Sequence, residues 1–349
     1  MKKILLILST VLLLVACEDF LDTEPLTVKV NTNFYQTPED MESALIAIYS
    51  AMAPTDISTS SFVASELMSG ESYPGGGPDD EHAFAMSQFK QLGQNMYAAT
   101  WARNYQGIFR ANMLLTSFDQ VEFDNQAQAD KVEGEARFLR AYYYFELAKM
   151  FGTVPLLLDP KPDNLPQADV DDLYAQIAED LKIAIEKLPS AKWSPRDIGR
   201  TTKWAAQGYM ARIFLFYTGV YNKSDLPLAS GGSVTKSQVV EWIDDCAANS
   251  GHDLLEKFGN LWPYSVRVNG ETEYKYADDN DLAWVGEEGN NIEVMYSIRY
   301  SIHSSWSNTY YGNQLPLFFS WREQTKLPFG QGWGWGPVTT LLWDSWPNA

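Results

Sequence analysis

Apolar residues recur at helical spacing through the first two thirds of the chain, and the clearest pattern is Glu133–Gly152. Two adjacent apolar stripes run along this segment. Their members are Val132, Ala136, Phe138, Leu139, Tyr142, Tyr143, Phe145, Leu147 and Met150. Glu133 and Arg137 form a charge pair on the remaining narrow face, and Gly152 supplies a stop signal. The pattern predicts a helix that neighbours surround on nearly every side, as in a scaffold of stacked helices.

Several other segments show the same spacing. A helix is predicted to start at Thr37–Asp40, where a capping threonine precedes a proline and two acidic residues at the positive end of the helix dipole. The other predicted helices are Asn95–Phe118, a helix that Asp171 and Asp172 cap and Pro189 ends, Thr201–Gly219 and Ser237–Ala248. Asn112 lies on an apolar face, where we expect structural hydrogen bonds rather than a ligand.

Two regions lack this periodicity. Pro54–Gln94 is rich in Ser, Gly, Pro and Asp, which predicts a surface loop that helps to shape a binding site, with plain disorder as an equal alternative. From Leu261 onward the chain holds eight of its twelve tryptophans, a β-prone piece at Ile292–Ile302 and Gly-rich turns. Because the sequence ends without a capping helix or charged tail, we expect this region to be incomplete.

The expected fold is mainly α, with tetratricopeptide-like helical hairpins in an α-α superhelix that support an irregular, loop-rich region with minor β structure. No strict 34-residue repeat fits the helices. We predict three parts: a signal peptide at 1–17, a helical region at 18–260 and an incomplete loop-rich region at 261–349. The helical aromatics Trp101, Tyr142 and Trp204 are assigned to the core.

The N-terminus carries a targeting signal. Lys2 and Lys3 precede an apolar run, Ile4–Leu14, and Ala16 precedes Cys17 as in bacterial lipoprotein processing sites. The apolar run is too short to span a bilayer. We therefore predict cleavage before an acylated Cys17 and membrane attachment through that anchor, against the alternative of an ordinary secretory peptide.

Composition excludes several classes of function. Loss of residues 1–17 would leave 24 basic and 45 acidic residues, a net charge of −21, which argues against a nucleic-acid partner. The only other cysteine, Cys246, is expected to be a buried apolar residue. His82, His252 and His303 show no metal-ligand spacing, so we predict neither a metal site nor a cofactor.

Several motifs resemble SusD/RagB-type outer-membrane lipoproteins of Bacteroidota glycan-uptake systems. They are Cys17–Asp22, Phe34–Tyr35, Trp101 with Tyr105, Arg110 and Asn112, the block Glu135–Tyr142, Gly152–Leu156, Gly199–Arg200 and Phe329–Gly332. The resemblance implies a tetratricopeptide-like fold on the outer leaflet, facing the cell exterior, that closes over a SusC-like TonB-dependent transporter. Glu18 and Asp19 are similar to the surface-export signal of such lipoproteins.

A glycan binder needs flat aromatic rings for stacking and planar polar side chains for hydrogen bonds. Residues of these types outside the helical stripes are the candidate ligand-binding set: Tyr73, Asp80, His82, Trp284, Trp306, Tyr310, Tyr311 and Trp333. For each aromatic member, packing in an irregular core is the alternative interpretation. Two or three stacking platforms would give only millimolar to micromolar affinity, which suits capture and release.

Three other functions stay open at this point. A surface glycoside hydrolase needs two carboxylates facing each other, whereas the acidic pairs here, such as Asp79–Asp80, are adjacent in sequence. No catalytic motif built on serine, histidine or paired cysteines occurs, so no catalytic residue is predicted. The remaining alternatives are a helical adaptor that binds only protein and a RagB-like protein that binds peptides.

Overall fold

The computed structural model describes residues 34–53, 60–77, 79–93, 96–161, 164–192, 199–261, 279–285, 291–300, 313–320, 322 and 332–346. Its α-helices are α1 (Pro38–Ser50), α2 (Ser61–Met68), α3 (Glu81–Ser87), α4 (Ala98–Thr116), α5 (Gln126–Phe151), α6 (Val170–Lys187), α7 (Lys203–Tyr221), α8 (Lys236–Asn249), α9 (Leu315–Phe319) and α10 (Thr340–Ser345). Strands β1 (Leu226–Pro227) and β2 (Ser233–Val234) pair antiparallel, with Leu226 opposite Val234. In these ranges, no helix has the length and apolar character that a bilayer crossing requires.

Helices α1 and α4 to α8 form the helical body, in which each long helix packs against the next along the chain. Helix α5 lies at its centre, between α4 and α6, and it also contacts α1. The predicted mainly α fold of tetratricopeptide-like hairpins is confirmed. Strands β1 and β2, beside α6, supply minor β structure.

Helix α5 shows why apolar spacing dictates the packing here. Its side chains are buried on most of its circumference, as both stripes predicted. It begins at Gln126, earlier than the pattern indicated, because Asn125 caps it and accepts a 3.0 Å hydrogen bond from the Gln128 amide. Gly152 ends it with a φ of 73°, and its amide donates to the Ala148 carbonyl at 3.0 Å.

A buried polar network joins α4, α5 and α6. The Arg140 guanidinium donates to both carboxylate oxygens of Asp180 at 2.7 Å and to Asn112 Oδ1 at 2.9 Å. Asn112 Nδ2 in turn donates to the Leu157 carbonyl at 2.8 Å, so its predicted structural role is confirmed. Because charge-assisted bidentate bonds are directional, this network fixes how the three helices sit against one another.

Three local predictions were wrong. The predicted loop Pro54–Gln94 contains α2 and α3, which are too short to be stable alone and are held by a small apolar cluster. Helix α6 begins at Val170 with Asp169 in the capping position, so the predicted capping pair Asp171 and Asp172 lies inside its first turn. The predicted β-prone piece Ile292–Ile302 forms no strand in its described residues, 292–300, which lie against α5 and α7 through Tyr296 and Met295.

A second, smaller apolar cluster lies beside the helical body. It joins α2 and α3 to α9 and to the tryptophan-rich segment 332–339, and with α10 these elements form the loop body. Its buried members include Leu67, Met86, Phe318 and Trp335. The loop body therefore takes residues from both sides of the predicted boundary at 260/261.

Candidate functional site

Two distant loops lie side by side at the surface of the loop body. Residues 71–76 pair antiparallel with residues 334–339 through bridges between Ser72 and Val338 and between Gly75 and Trp335. The Tyr73 amide donates to the Pro337 carbonyl at 2.8 Å, and the Thr339 amide donates to the Glu71 carbonyl at 2.8 Å. Backbone bonds of this kind hold both loops in one defined conformation.

Glycine makes the close approach possible. Gly75 has a φ of 63°, and a Cβ atom added there would stand 2.1 Å from the Gly334 carbonyl oxygen. Any side chain at Gly75 would therefore be strained by its φ and would also collide with the facing loop.

Aromatic packing attaches the tryptophan-rich segment, and with it the paired loops, to α9. Trp335 is buried, and its ring centroid lies 4.6 Å from that of Phe318 on α9. Trp333 is half-buried and packs edge-on against the other side of this contact, 4.9 Å from Phe318. Part of the Trp333 surface therefore packs in the core of the loop body, and part of it is exposed.

The early-loop candidates take different roles. Tyr73 is 47% exposed, and its hydroxyl lies 3.5 Å from the hydroxyl of Thr340 at the start of α10. Asp80 accepts a 2.5 Å hydrogen bond from the Gly77 amide, so its carboxylate holds the turn in place. His82 is exposed on α3, and no described group of acidic, histidine or cysteine side chains could hold a metal ion.

Two exposed tryptophans that the sequence analysis did not select continue the surface next to Tyr73. Trp343 on α10 is 75% exposed and Trp346 is 67% exposed. Trp343 follows Thr340 by three residues, so the two share one side of α10, and the Thr340 hydroxyl lies 3.5 Å from that of Tyr73, whereas Trp346 follows the helix as its C-cap residue. We call Tyr73, Trp343 and Trp346 the aromatic face. The missed signal was a pair of tryptophans three residues apart, one in a short, otherwise unremarked helix and one directly after it.

The other predicted site residues lie elsewhere. Trp284 is half-buried in segment 279–285, which hydrogen bonds attach to Asn260 in the turn Phe258–Leu261 that follows α8. No described contact connects Trp284 with the aromatic face. Trp306, Tyr310, Tyr311 and the lipidation residue Cys17 fall outside the described residues, so their roles stay predictions.

A cavity of about 190 Å³ lies between the helical body and the loop body. Phe62, at the start of α2, forms part of its wall and contacts Phe319 of α9 with 5.7 Å between ring centroids. Tyr142 forms another part of the wall, so this residue assigned to the core packs there and also faces an open space. We call this space the scaffold cavity.

Charged side chains in the wall of the scaffold cavity are held by other protein groups. Glu146 accepts hydrogen bonds from Ser61 at 2.6 Å and from Lys149 at 2.5 Å. Arg103 donates to the Ser50 carbonyl at 2.6 Å and to the Ala53 carbonyl at 3.2 Å. Burial, and next the charge of Glu146, raises the pKa of Tyr142 well above its ordinary value, so its hydroxyl stays neutral.

Comparison with known proteins finds one family over most of the helical body. Residues 19–215 match a SusD-like family described as "Starch-binding associating with outer membrane". A SusD-like protein of Bacteroides ovatus is 30% identical over 289 residues, which cover 78% of this chain and 48% of that protein. SusD-like protein P25 of Formosa agariphila is 26% identical, and the match covers 57% of this chain and 40% of the relative. The chain thus spans about half the length, or less, of these relatives.

Solved structures show the same fold. Surface glycan-binding protein A from Bacteroides thetaiotaomicron, in complex with laminarihexaose, superposes with a TM-score of 0.70 at 20% identity, covering 89% of this chain and 61% of that one. A laminarin-binding SusD-like protein superposes with a TM-score of 0.65 at 24% identity, covering 88% and 63%. A structure with a xylogluco-oligosaccharide gives a TM-score of 0.56 at 20% identity, covering 79% and 49%.

Proposed function

Since this chain belongs to the SusD-like family, we propose that it is a surface lipoprotein that captures oligosaccharides and passes them, uncleaved, to a SusC-like TonB-dependent transporter. The family match confirms the resemblance that its motifs indicated. Relatives of the same fold were solved with laminarihexaose and with a xylogluco-oligosaccharide, which supports a glycan as the ligand class. The family description places its members with the outer membrane.

The observation that carries the proposal is the aromatic face. Monomeric proteins seldom expose large apolar patches without a binding role. Here Tyr73 stands on the paired loops, which backbone hydrogen bonds and the buried Trp335 keep in place, and the exposed Trp343 and Trp346 lie on and directly after α10, which follows those loops. Such a surface is preorganised, because its rings need little ordering before a ligand binds.

The energetics suit capture followed by release. Covering about 60 to 80 Å² of ring face contributes roughly 1.5 to 2 kcal/mol. Two or three such contacts, reduced by the entropy cost of association, give affinities of about millimolar to micromolar. A protein that hands its ligand to a transporter benefits from fast dissociation, which this affinity range permits.

Two features support binding without cleavage. A glycoside hydrolase uses two carboxyl groups about 5 to 10 Å apart on opposite sides of the scissile bond. Near the aromatic face, Asp80 is committed to the Gly77 amide and follows Asp79 directly. Two of the solved structures reported above are named as binding proteins.

Affinity electrophoresis against laminarin, xyloglucan and starch tests the proposal. We expect at least one polysaccharide to retard the protein without release of smaller sugars, and Trp343→Ala to weaken this binding about tenfold, or about 1.4 kcal/mol. Phe109→Ala is the control, because Phe109 is 48% exposed on the helical body.

Retardation that Trp343→Ala and Trp346→Ala leave unchanged would refute the aromatic face, and product release would indicate a hydrolase. If no polysaccharide of a wider panel binds, a protein-binding or peptide-binding role replaces the proposal.

The predicted lipid anchor has a separate test. Mass spectrometry of the protein purified from membranes should show a mature N-terminus at Cys17 that carries acyl chains. Cys17→Ala should leave the protein unprocessed or released from the membrane. A processed end at any other residue would contradict the anchor and leave the glycan site unaffected.

A further inference from the structure

The scaffold cavity is separate from the aromatic face. Ser61 and Phe62 at the first turn of α2 line the cavity, whereas the loop that carries Tyr73 begins after the last turn of the same helix. Eight helical residues rise about 12 Å, so the two sites lie at opposite ends of α2. A ligand that covers one of the two sites therefore leaves the other site accessible.

The wall of the scaffold cavity has unused hydrogen-bonding capacity. The hydroxyls of Tyr142 and Tyr300 make no hydrogen bond within the described part of the chain, and both residues face the cavity. Asn104 uses its amide nitrogen on the Thr100 carbonyl, at 2.8 Å, and keeps its side-chain oxygen as an acceptor. Buried polar groups usually find partners, so a wall of this kind favours an occupant that carries several hydroxyl groups.

The electrostatics of the wall favour a neutral occupant. Among the described residues, one guanidinium, that of Arg103, and one carboxylate, that of Glu146, line the cavity, and protein groups already hold both. Aromatic rings of Phe62, Tyr142 and Tyr300 supply apolar faces between these polar points. A charged ligand would lose its hydration here without meeting an uncommitted counter-charge.

The size of the cavity admits an occupant much larger than water. One water molecule needs about 10–15 Å³ of such space, and the cavity offers about 190 Å³. The cavity is also partly open to solvent, so one six-membered sugar ring with its hydroxyls can enter it. We propose that the scaffold cavity binds a single neutral monosaccharide unit, as a second sugar site distinct from the aromatic face. This inference rests on the proposed function only for the choice of sugars as the ligand class.

Filling the cavity provides the test. Ala99 lines the cavity in the first turn of α4, whereas its neighbour Ala98 is exposed and does not line it. Ala99→Phe should abolish saturation-transfer NMR signals from whichever of glucose, galactose, mannose or xylose binds the wild type, and Ala98→Phe, the matched control, should retain them. Tyr142→Phe, which removes one hydroxyl and little volume, should weaken binding about five- to tenfold. Glucuronate should give no signal.

The outcomes separate this inference from the proposed function. Polysaccharide retardation with no monosaccharide signal, or a signal that persists in both Ala99→Phe and Tyr142→Phe, would overturn the cavity site while leaving the aromatic face intact. A monosaccharide signal lost in Ala99→Phe and kept in Trp343→Ala would support the cavity site, whether or not polysaccharides bind. Should Ala99→Phe fail to fold, Tyr142→Phe decides the question alone.

Discussion

Single residues set the shape of the paired loops, and Gly75 has the strictest requirement among them. Gly70, in the same loop, also has a positive φ, of 79°, yet a Cβ atom added there would meet nothing within 4 Å. The two glycines therefore separate two effects: backbone strain alone at Gly70, and strain with a collision at Gly75. A left-handed conformation costs a residue with a side chain roughly 1–2 kcal/mol before any clash.

We expect Gly75→Ala to separate the loops at the bridge to Trp335 and to weaken polysaccharide binding more than tenfold. Gly70→Ala should bind within about threefold of the wild type, because it carries only the strain. Far-ultraviolet circular dichroism should stay unchanged for both variants, since the helical body does not depend on this contact. Equal binding by Gly75→Ala and the wild type would show that the paired loops do not shape the glycan site.

At the scale of elements, the Asp245 carboxylate adds a polar link to the packing of helix α8 against α7. Asp245 accepts hydrogen bonds from Lys203 at 2.7 Å and from Gln207 at 2.9 Å across the helix pair. Hydrogen bonds from Lys203, Gln207 and Asn249 lower the pKa of Asp245 from its usual 3.8 to about 2. Its carboxylate is partly exposed, so screening by solvent limits the contribution to less than about 1 kcal/mol.

This pKa shift fixes the direction of a pH effect. Because the folded-state pKa lies below the unfolded one, the stabilisation is complete above about pH 4 and is lost as the pH falls towards 2. Asp245→Asn should therefore melt a few degrees below the wild type at pH 6 and at the same temperature near pH 2. Asp244→Asn, which removes a neighbouring exposed carboxylate, should follow the wild-type profile throughout. A gap between Asp245→Asn and the wild type that is constant from pH 6 to pH 2 would contradict the assignment.

The helices also show which parts of the fold could be predicted from the sequence and which could not. The amphipathic or apolar patterns of α1 and α5 extend over three or more turns, so their existence and buried faces followed from spacing alone. Helices α2 and α3 are two turns long and form because the small cluster around Met86 and Phe318 buries them, a non-local effect that no short window contains. The pairing of Tyr73 with the segment around Trp333 is equally non-local. Both residues were selected by chemistry, but their proximity could not be predicted.

At the scale of the whole molecule, the two bodies differ in what holds them together. The helical body has a large continuous core, reinforced by the buried Arg140–Asp180 pair between α5 and α6. The loop body has a small core around Phe318 and Trp335, and its outer loops are joined by a few backbone hydrogen bonds. Regions with few buried apolar contacts open locally at lower free energy than the global unfolding. The proposed glycan surface therefore lies on the less stable of the two bodies.

Native-state hydrogen exchange should resolve this difference and locate the ligand. Without glycan, amides of the paired loops, such as Tyr73 and Thr339, should exchange through local openings, whereas buried amides of α5 should exchange only through global unfolding. A glycan at a hundred times its dissociation constant stabilises the closed loops by about 2.7 kcal/mol, which slows their exchange about a hundredfold. Amides of α5 that exchange only through global unfolding should slow by the same factor, because the ligand stabilises the whole native state, so the ligand is located by the amides that exchange through local openings. Protection centred on the α7–α8 surface instead of the loop body would place the ligand elsewhere, because protection follows the groups that binding holds closed.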